Sequence, residues 1–173
     1  MKRLLHEEEI NFLFRGVGEC LWYLQYLEDA LTTYISIVVD IKIPGAMALP
    51  DAIAVREKNR GHTMGNLIKI IVKENLFSTD LLDRLLRLKK DRDWLVHKSL
   101  YSHGDFILTE SGRHDIFYKL NFISNEAADL QKVVSKELEI YVRKSGVDVD
   151  DSNEKAMAEV EELRINRDKP YRP

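Results

Sequence analysis

The sequence predicts an all-α fold: an antiparallel up-and-down bundle of four main helices, with short extra helices beside them. Three observations predict it. Two long stretches repeat apolar residues at alternating spacings of four and three, which keeps them on one side of a helix. Serine, threonine, proline and glycine sit where such helices would start and stop. No stretch alternates apolar and polar residues with the period of two that a half-buried strand needs.

Residues 4 to about 40 read as one long helix. Ile10, Phe14, Val17, Leu21, Leu24, Leu31, Ile35 and Val38 form its seam, interrupted only by Glu28. Gly16 and Gly18 weaken the helix locally and mark a kink or a close helix crossing. Phe12, Trp22, Tyr23 and Tyr26 widen the apolar surface beyond one stripe. This is either a central core helix or one that also carries a dimer interface. Residues 41–50, IKIPGAMALP, form a loop punctuated by Pro44, Gly45 and Pro50. Asp51 then caps a short helix that runs through Arg60 and ends at Gly61.

Thr63 is the N-cap of MGNLIKIIVKEN, whose Met64, Leu67, Ile68, Ile71 and Val72 make one apolar face. Ser78 or Thr79 caps the next helix, LLDRLLRLKKDRDWLVHKSLYSH, which Gly104 closes. A loop follows, with a short extended piece at Phe106 to Leu108. The fourth long helix runs from about Ser111 to Arg143 on Ile116, Leu120, Ile123, Ala127, Leu130, Val134, Leu138 and Tyr141, and Gly146 ends it. Residues 1–146 therefore form the bundle and residues 147–173 an acidic, then polar, extension that is partly helical or disordered. Met157, Val160 and Leu163 support a short, weakly amphipathic helix in it, and the last nine residues read as disordered.

Composition narrows the function. A net charge of −3 gives no global basic field, so any nucleic acid must be met by a local patch. The single cysteine, Cys20, excludes an internal disulfide and suits a reducing cytoplasm. No run of eighteen apolar residues is present, so no membrane span is expected, and MKRLLHEEEI turns acidic too early for a signal peptide. His6, His62, His97, His103 and His114 show no metal-ligand spacing. GVGEC and HTMGN lack the lysine and the strand of a phosphate loop. No metal or cofactor is expected, and no DNA-reading motif is present, because the basic stretch LRLKKDRDW belongs to the most leucine-rich helix.

That helix carries the most informative pattern. Leu81, Leu85 and Leu88 step along one seam whose next positions are Arg92 and Leu95, and a parallel row from Leu82 and Leu86 continues through Asp93 to Val96 and Leu100. Arg92 and Asp93 thus stand where the pattern asks for leucine, and buried unpaired charge needs a compensating partner or a purpose. Asp93 and His97, four residues apart, can meet on the helix surface, so that the carboxylate holds the ring and raises its pKa. Arg92 offers planar, bidentate donors suited to phosphate. An imidazole able to move a proton beside a phosphate-binding arginine is a minimal kit for cleaving a phosphodiester without metal. The same three residues also make a sensible structural ion-pair network near a helix end. Five residues separate Arg92 from His97, about 500° of rotation, so their side chains diverge by about 140°. A cleft receiving both must wrap the helix or be completed by a second copy.

The reading Arg92, Asp93, His97 late in a bundle helix resembles the R-x(4–6)-H motif of the HEPN superfamily, which usually has Asn, Asp or His after the arginine. RDWLVHK is similar to the RN-x-L-x-H form of many members, and TMGNLIKII resembles a T-x-G-x-L-I segment that precedes the motif in some branches. The resemblance spans roughly residues 4 to 146 and is to an abortive-infection-type branch. It implies a homodimer whose two motif helices form one cleft, and a metal-independent endoribonuclease of toxin, antiphage or RNA-processing type. In that setting His97 assists activation of the ribose 2′-OH or protonation of the leaving oxygen, Arg92 steadies the scissile phosphate, and Asp93 orients its neighbours. Lys89, Lys90 and Lys98 would add RNA backbone contacts, with Tyr101 also at the RNA. Some toxin branches carry a tyrosine two residues after the histidine; here Tyr101 comes four after, so control by oligoadenylylation is not implied.

Two functions follow as expectations. One is a HEPN-like dimeric ribonuclease, held in check by a regulatory or antitoxin protein. The other is a non-catalytic helical dimer that binds RNA or protein, with Arg92, Asp93 and His97 as structural polar groups. The tail after Gly146 serves either as a docking or self-shielding segment, or is simply a solvated end.

Overall fold

A computed structural model describes residues 2–99 and 104–167. Among these the chain is all-α, with no strand beyond an isolated bridge between Lys2 and Thr109. Helix α1 spans Glu7–Ile35 and continues as a π-helical stretch, Ser36–Ile41. Then come α2 (Leu49–Arg60), α3 (Met64–Lys73), α4 (Thr79–His97), a 3-10 turn (Phe106–Leu108), α5 (Glu110–Lys144) and α6 (Val149–Arg167).

The helix starts follow local chemistry. Thr63, Ser78 and Thr109 each have an extended backbone, and their side-chain oxygens accept from the N–H of Asn66, Leu81 and Gly112. Each cap satisfies a donor that the first helical turn leaves without a partner. At α1 the backbone N–H of His6 donates to Glu9 Oε2 at 2.8 Å, and Glu7, Glu8 and Glu9 complement the positive end of the helix. Helix α2 begins at Leu49 rather than at an Asp51 cap: Pro50 fits the first turn, and Asp51 lies within it. Gly146 at φ +83° ends α5 as expected. The stretch Phe106–Leu108 is a 3-10 turn, not the expected extended piece.

The core is one continuous layer of side chains from α1, α3, α4 and α5. The seam of α5 is buried as the spacing requires, from Ile116 through Val134. That of α1 is rotated from the expected one. Cys20, Leu24, Leu27, Leu31 and Tyr34 are buried, with Leu13, Val17 and Val38 against them, and this row runs unbroken at spacings of four and three. Phe14 is 69% exposed, and Ile10 and Leu21 also face solvent. Glu28 therefore interrupts nothing: it stands on the flank of α1, toward α4. Val72, assigned to the apolar face of α3, is exposed.

The longest seam joins α1 to α5, and the two helices run in the same direction. Phe12 meets Phe117 edge to face with ring centroids 4.8 Å apart, and the Cys20 thiol donates to the Leu120 carbonyl at 3.0 Å. Further along, the Tyr141 hydroxyl donates to the Lys42 carbonyl. Gly16 permits the close crossing, since a Cβ there would lie 3.2 Å from Leu120 Cδ1. Helix α4 opposes α5: Arg84 pairs with Glu126 through two hydrogen bonds, and Asp91 with Lys119 at 3.2 Å. The bundle thus contains a parallel pair, α1 with α5, beside the antiparallel pair α4 and α5.

The chain's start is clasped to the start of α5. Arg3 grips Glu9 with two hydrogen bonds of 2.7 Å, and buried Arg113 reaches the same carboxylate at 3.1 Å while donating to the Leu108 carbonyl. The Arg3 hydrogen bonds hold the Glu9 carboxyl down to about 2. At the other end α6 continues for 19 residues, longer than the short helix expected, and its Met157 and Val160 are exposed. The side chain of Leu163 lies outside the description. Residues 165–167, read as disordered, are helical, and residues 168–173 lie outside the described residues. No described helix is long and apolar enough to cross a membrane.

Two outcomes test this arrangement. Leu27→Ala, at a fully buried position, should cost about 3 kcal/mol in urea unfolding, whereas Leu21→Ala should cost under about 1 kcal/mol; the expected seam would rank them the other way. Glu9 is more acidic folded than its ordinary 4.5, so its contribution is complete above that pH and fades as pH falls toward 2. Glu9→Gln should therefore flatten the dependence of stability on pH between those limits.

Candidate functional site

Helix α4 brings the motif residues to the surface in a particular order. Leu81, Leu85, Leu88 and Leu95 are buried along its seam, and Arg92 takes the place between the last two. Its side chain is 29% exposed and points toward α1, where Glu28 Oε1 lies 3.9 Å from Arg92 Nε. The second row is not a core row: Leu86 and Val96 are exposed, so Asp93 stands at the surface and breaks no packing.

Asp93 does not hold His97. Its carboxylate takes the Lys89 ammonium at 2.6 Å, one helical turn before it. That hydrogen bond, aided by the nearby charges of Arg92 and His97, keeps Asp93 below the usual carboxylate range. Lys89 passes closely over Gly65, where a Cβ would stand 3.1 Å from Lys89 Cε. The glycine of the TMGNLI segment thus lies beside the lysine that holds the motif's aspartate. His97 is the last residue of α4 and is exposed, with no hydrogen bond or ion pair to Asp93 among the described residues.

Arg92 is set apart from its peers. Among the described residues, the other partly or fully buried arginines are Arg3, Arg56, Arg84 and Arg113, and each makes hydrogen bonds of 3.1 Å or less. Arg92 makes none: Glu28 is 3.9 Å away and Asp93 Oδ1 is 3.6 Å from Nη1. On the other side, Glu28 Oε1 is buried from water and has no hydrogen-bond partner. A guanidinium with unspent donors at a half-open site is competent to take an anion. The approximately 140° between Arg92 and His97 remains, so a single chain presents them on different sides of α4.

Of the expected RNA contacts, Lys90 and Lys98 are exposed, and Lys89 is partly buried and paired with Asp93; Tyr101 lies outside the described residues. Arg87, exposed one turn from Lys90, adds a cation the sequence reading passed over. An apolar cavity of about 390 Å³ lies behind the motif, lined by Leu13, Val17, Trp94, Leu95, Ile116 and Leu120. Its described lining holds no ionisable group. No metal-binding cluster of His, Cys, Asp or Glu occurs among the described residues.

No family model, curated protein or solved structure matches this chain.

The pairing of Lys89 with Asp93 is open to direct measurement. Lys89→Met should raise the Asp93 titration midpoint toward its ordinary 3.8, read from its side-chain carboxyl ¹³C shift. His97→Ala should move that midpoint much less.

Proposed function

We propose that this protein is a HEPN-like helical homodimer that cleaves RNA without a metal ion, through Arg92 and His97. The observation that carries this reading is Arg92: partly buried, beside two carboxylates, with no hydrogen bond to either. Electrostatic stabilisation of a scissile phosphate needs such preorganised, unspent donors. His97, exposed at the end of the same helix, supplies an imidazole for proton transfer to or from the ribose and leaving oxygens. The angle between them calls for the second motif helix, so that Arg92 of one protomer works with His97 of its partner. Arg87, Lys90 and Lys98 extend a cationic strip along α4 for the RNA backbone. The reading carries with it a cytoplasmic setting, a toxin, antiphage or RNA-processing role, and a regulatory or antitoxin protein as partner.

One observation favours the non-catalytic alternative, a helical dimer that binds RNA or protein. Asp93 is committed to Lys89 and leaves the His97 ring unoriented within one chain. In the ribonuclease reading that orientation comes from the partner protomer.

Purified protein in excess EDTA should cleave mixed cellular RNA. His97→Ala should lower the rate by about 10²- to 10⁴-fold. Arg92→Ala should lower it by about 10²- to 10³-fold, and both variants should stay folded by circular dichroism. Cleavage that EDTA abolishes, or that survives both substitutions, contradicts the mechanism. RNA binding without cleavage by any form supports the alternative.

A further inference from the structure

We propose that Glu28 is a positioning residue for Arg92, an assignment that rests on the ribonuclease reading for its purpose but not for its physics. Glu28 sits on the α4-facing flank of α1, beside a seam that runs from Leu24 to Leu27 and Leu31 without needing it. A glutamate at such a position loses hydration, and Oε1 is fully removed from water without gaining a hydrogen bond. What faces it is Arg92 Nε at 3.9 Å. Elsewhere the chain closes such pairs: Arg84 and Glu126 join at 2.8 Å through Nε.

The two carboxylates approach different parts of one guanidinium, Glu28 toward Nε and Asp93 toward Nη1. Asp93 is already bound by Lys89, so Glu28 is the carboxylate with an uncommitted oxygen. An anion at the terminal nitrogens would leave Nε–H directed at Glu28. Glu28 thereby fixes the plane of the guanidinium from the buried side while its outer edge meets the phosphate. Because Glu28 also opposes anion binding by charge, its effect falls on turnover rather than on affinity. At 3.9 Å the attraction is one of charge and not a hydrogen bond, so the carboxylate holds the orientation and a neutral side chain does not.

The test reads Arg92 itself. In ¹⁵N-labelled protein, the Arg92 Nε–H signal is assigned by its loss in Arg92→Lys. It should stand apart from the exposed arginines in wild type, and merge with them in Glu28→Gln and Glu28→Leu. With RNA, Glu28→Gln and Glu28→Leu should each lose roughly tenfold or more in kcat, while their affinity for a non-cleavable 2′-O-methyl oligonucleotide does not fall. If Glu28→Leu fails to fold, Glu28→Asp, whose carboxylate is drawn back by one methylene, should give the same loss of signal. An unchanged Arg92 signal in the folded variants overturns the proposal, even if the protein cleaves RNA. A signal that depends on Glu28 in a protein that cleaves nothing upholds the Glu28–Arg92 pairing and removes the ribonuclease reading instead.

Discussion

The seam between α1 and α5 decides which face of every other helix is free. Both helices bring unbroken buried rows to a core they share with α3 and α4, and Gly16 lets them approach closely at Leu120. Because the pair runs in one direction, α4 can oppose α5 through Arg84 and Asp91 while turning Arg92 toward the flank of α1. The clasp of Arg3, Glu9 and Arg113 fixes the register at the N-terminal end of this pair. Leu27 and Leu130, both fully buried, show how completely this seam excludes water.

Helix geometry then divides the motif. Arg92 continues the buried row of α4 and looks inward to Glu28, while His97 leaves the helix on the outside. Asp93, between them in sequence, is drawn to Lys89 by the stronger of two available partners, a fixed cation one turn earlier. The arginine is left with carboxylates near enough to orient it and too far to satisfy it. None of its nitrogens is buried without a partner, so its remaining donors face solvent.

Much of this was legible in the residues. Caps at Thr63, Ser78 and Thr109, the end of α5 at Gly146, and the buried rows of α4 and α5 follow from spacing and turn chemistry. The phase of α1 was not, because its surface is apolar almost all round: Phe14, Leu21 and Trp22 compete with Leu13, Cys20 and Leu27 for the inward face. Choosing the row through Glu28 made that residue a defect, when it is a neighbour of the motif. The direction of α5 relative to α1 is set by tertiary packing, to which helical periodicity is blind. Lys89 and His97 stand at equal spacing from Asp93, and spacing alone does not choose between them. That Lys89 passes over Gly65 is visible only once α3 is placed beside α4.

The central claim is that one working site needs Arg92 from one protomer and His97 from another. The most direct measurement mixes Arg92→Ala and His97→Ala proteins, each inactive alone, under conditions that let subunits exchange, and follows RNA cleavage in EDTA. A composite site regains cleavage on mixing, because each mixed dimer holds one intact pair. No recovery, with exchange verified by mass, would contradict it.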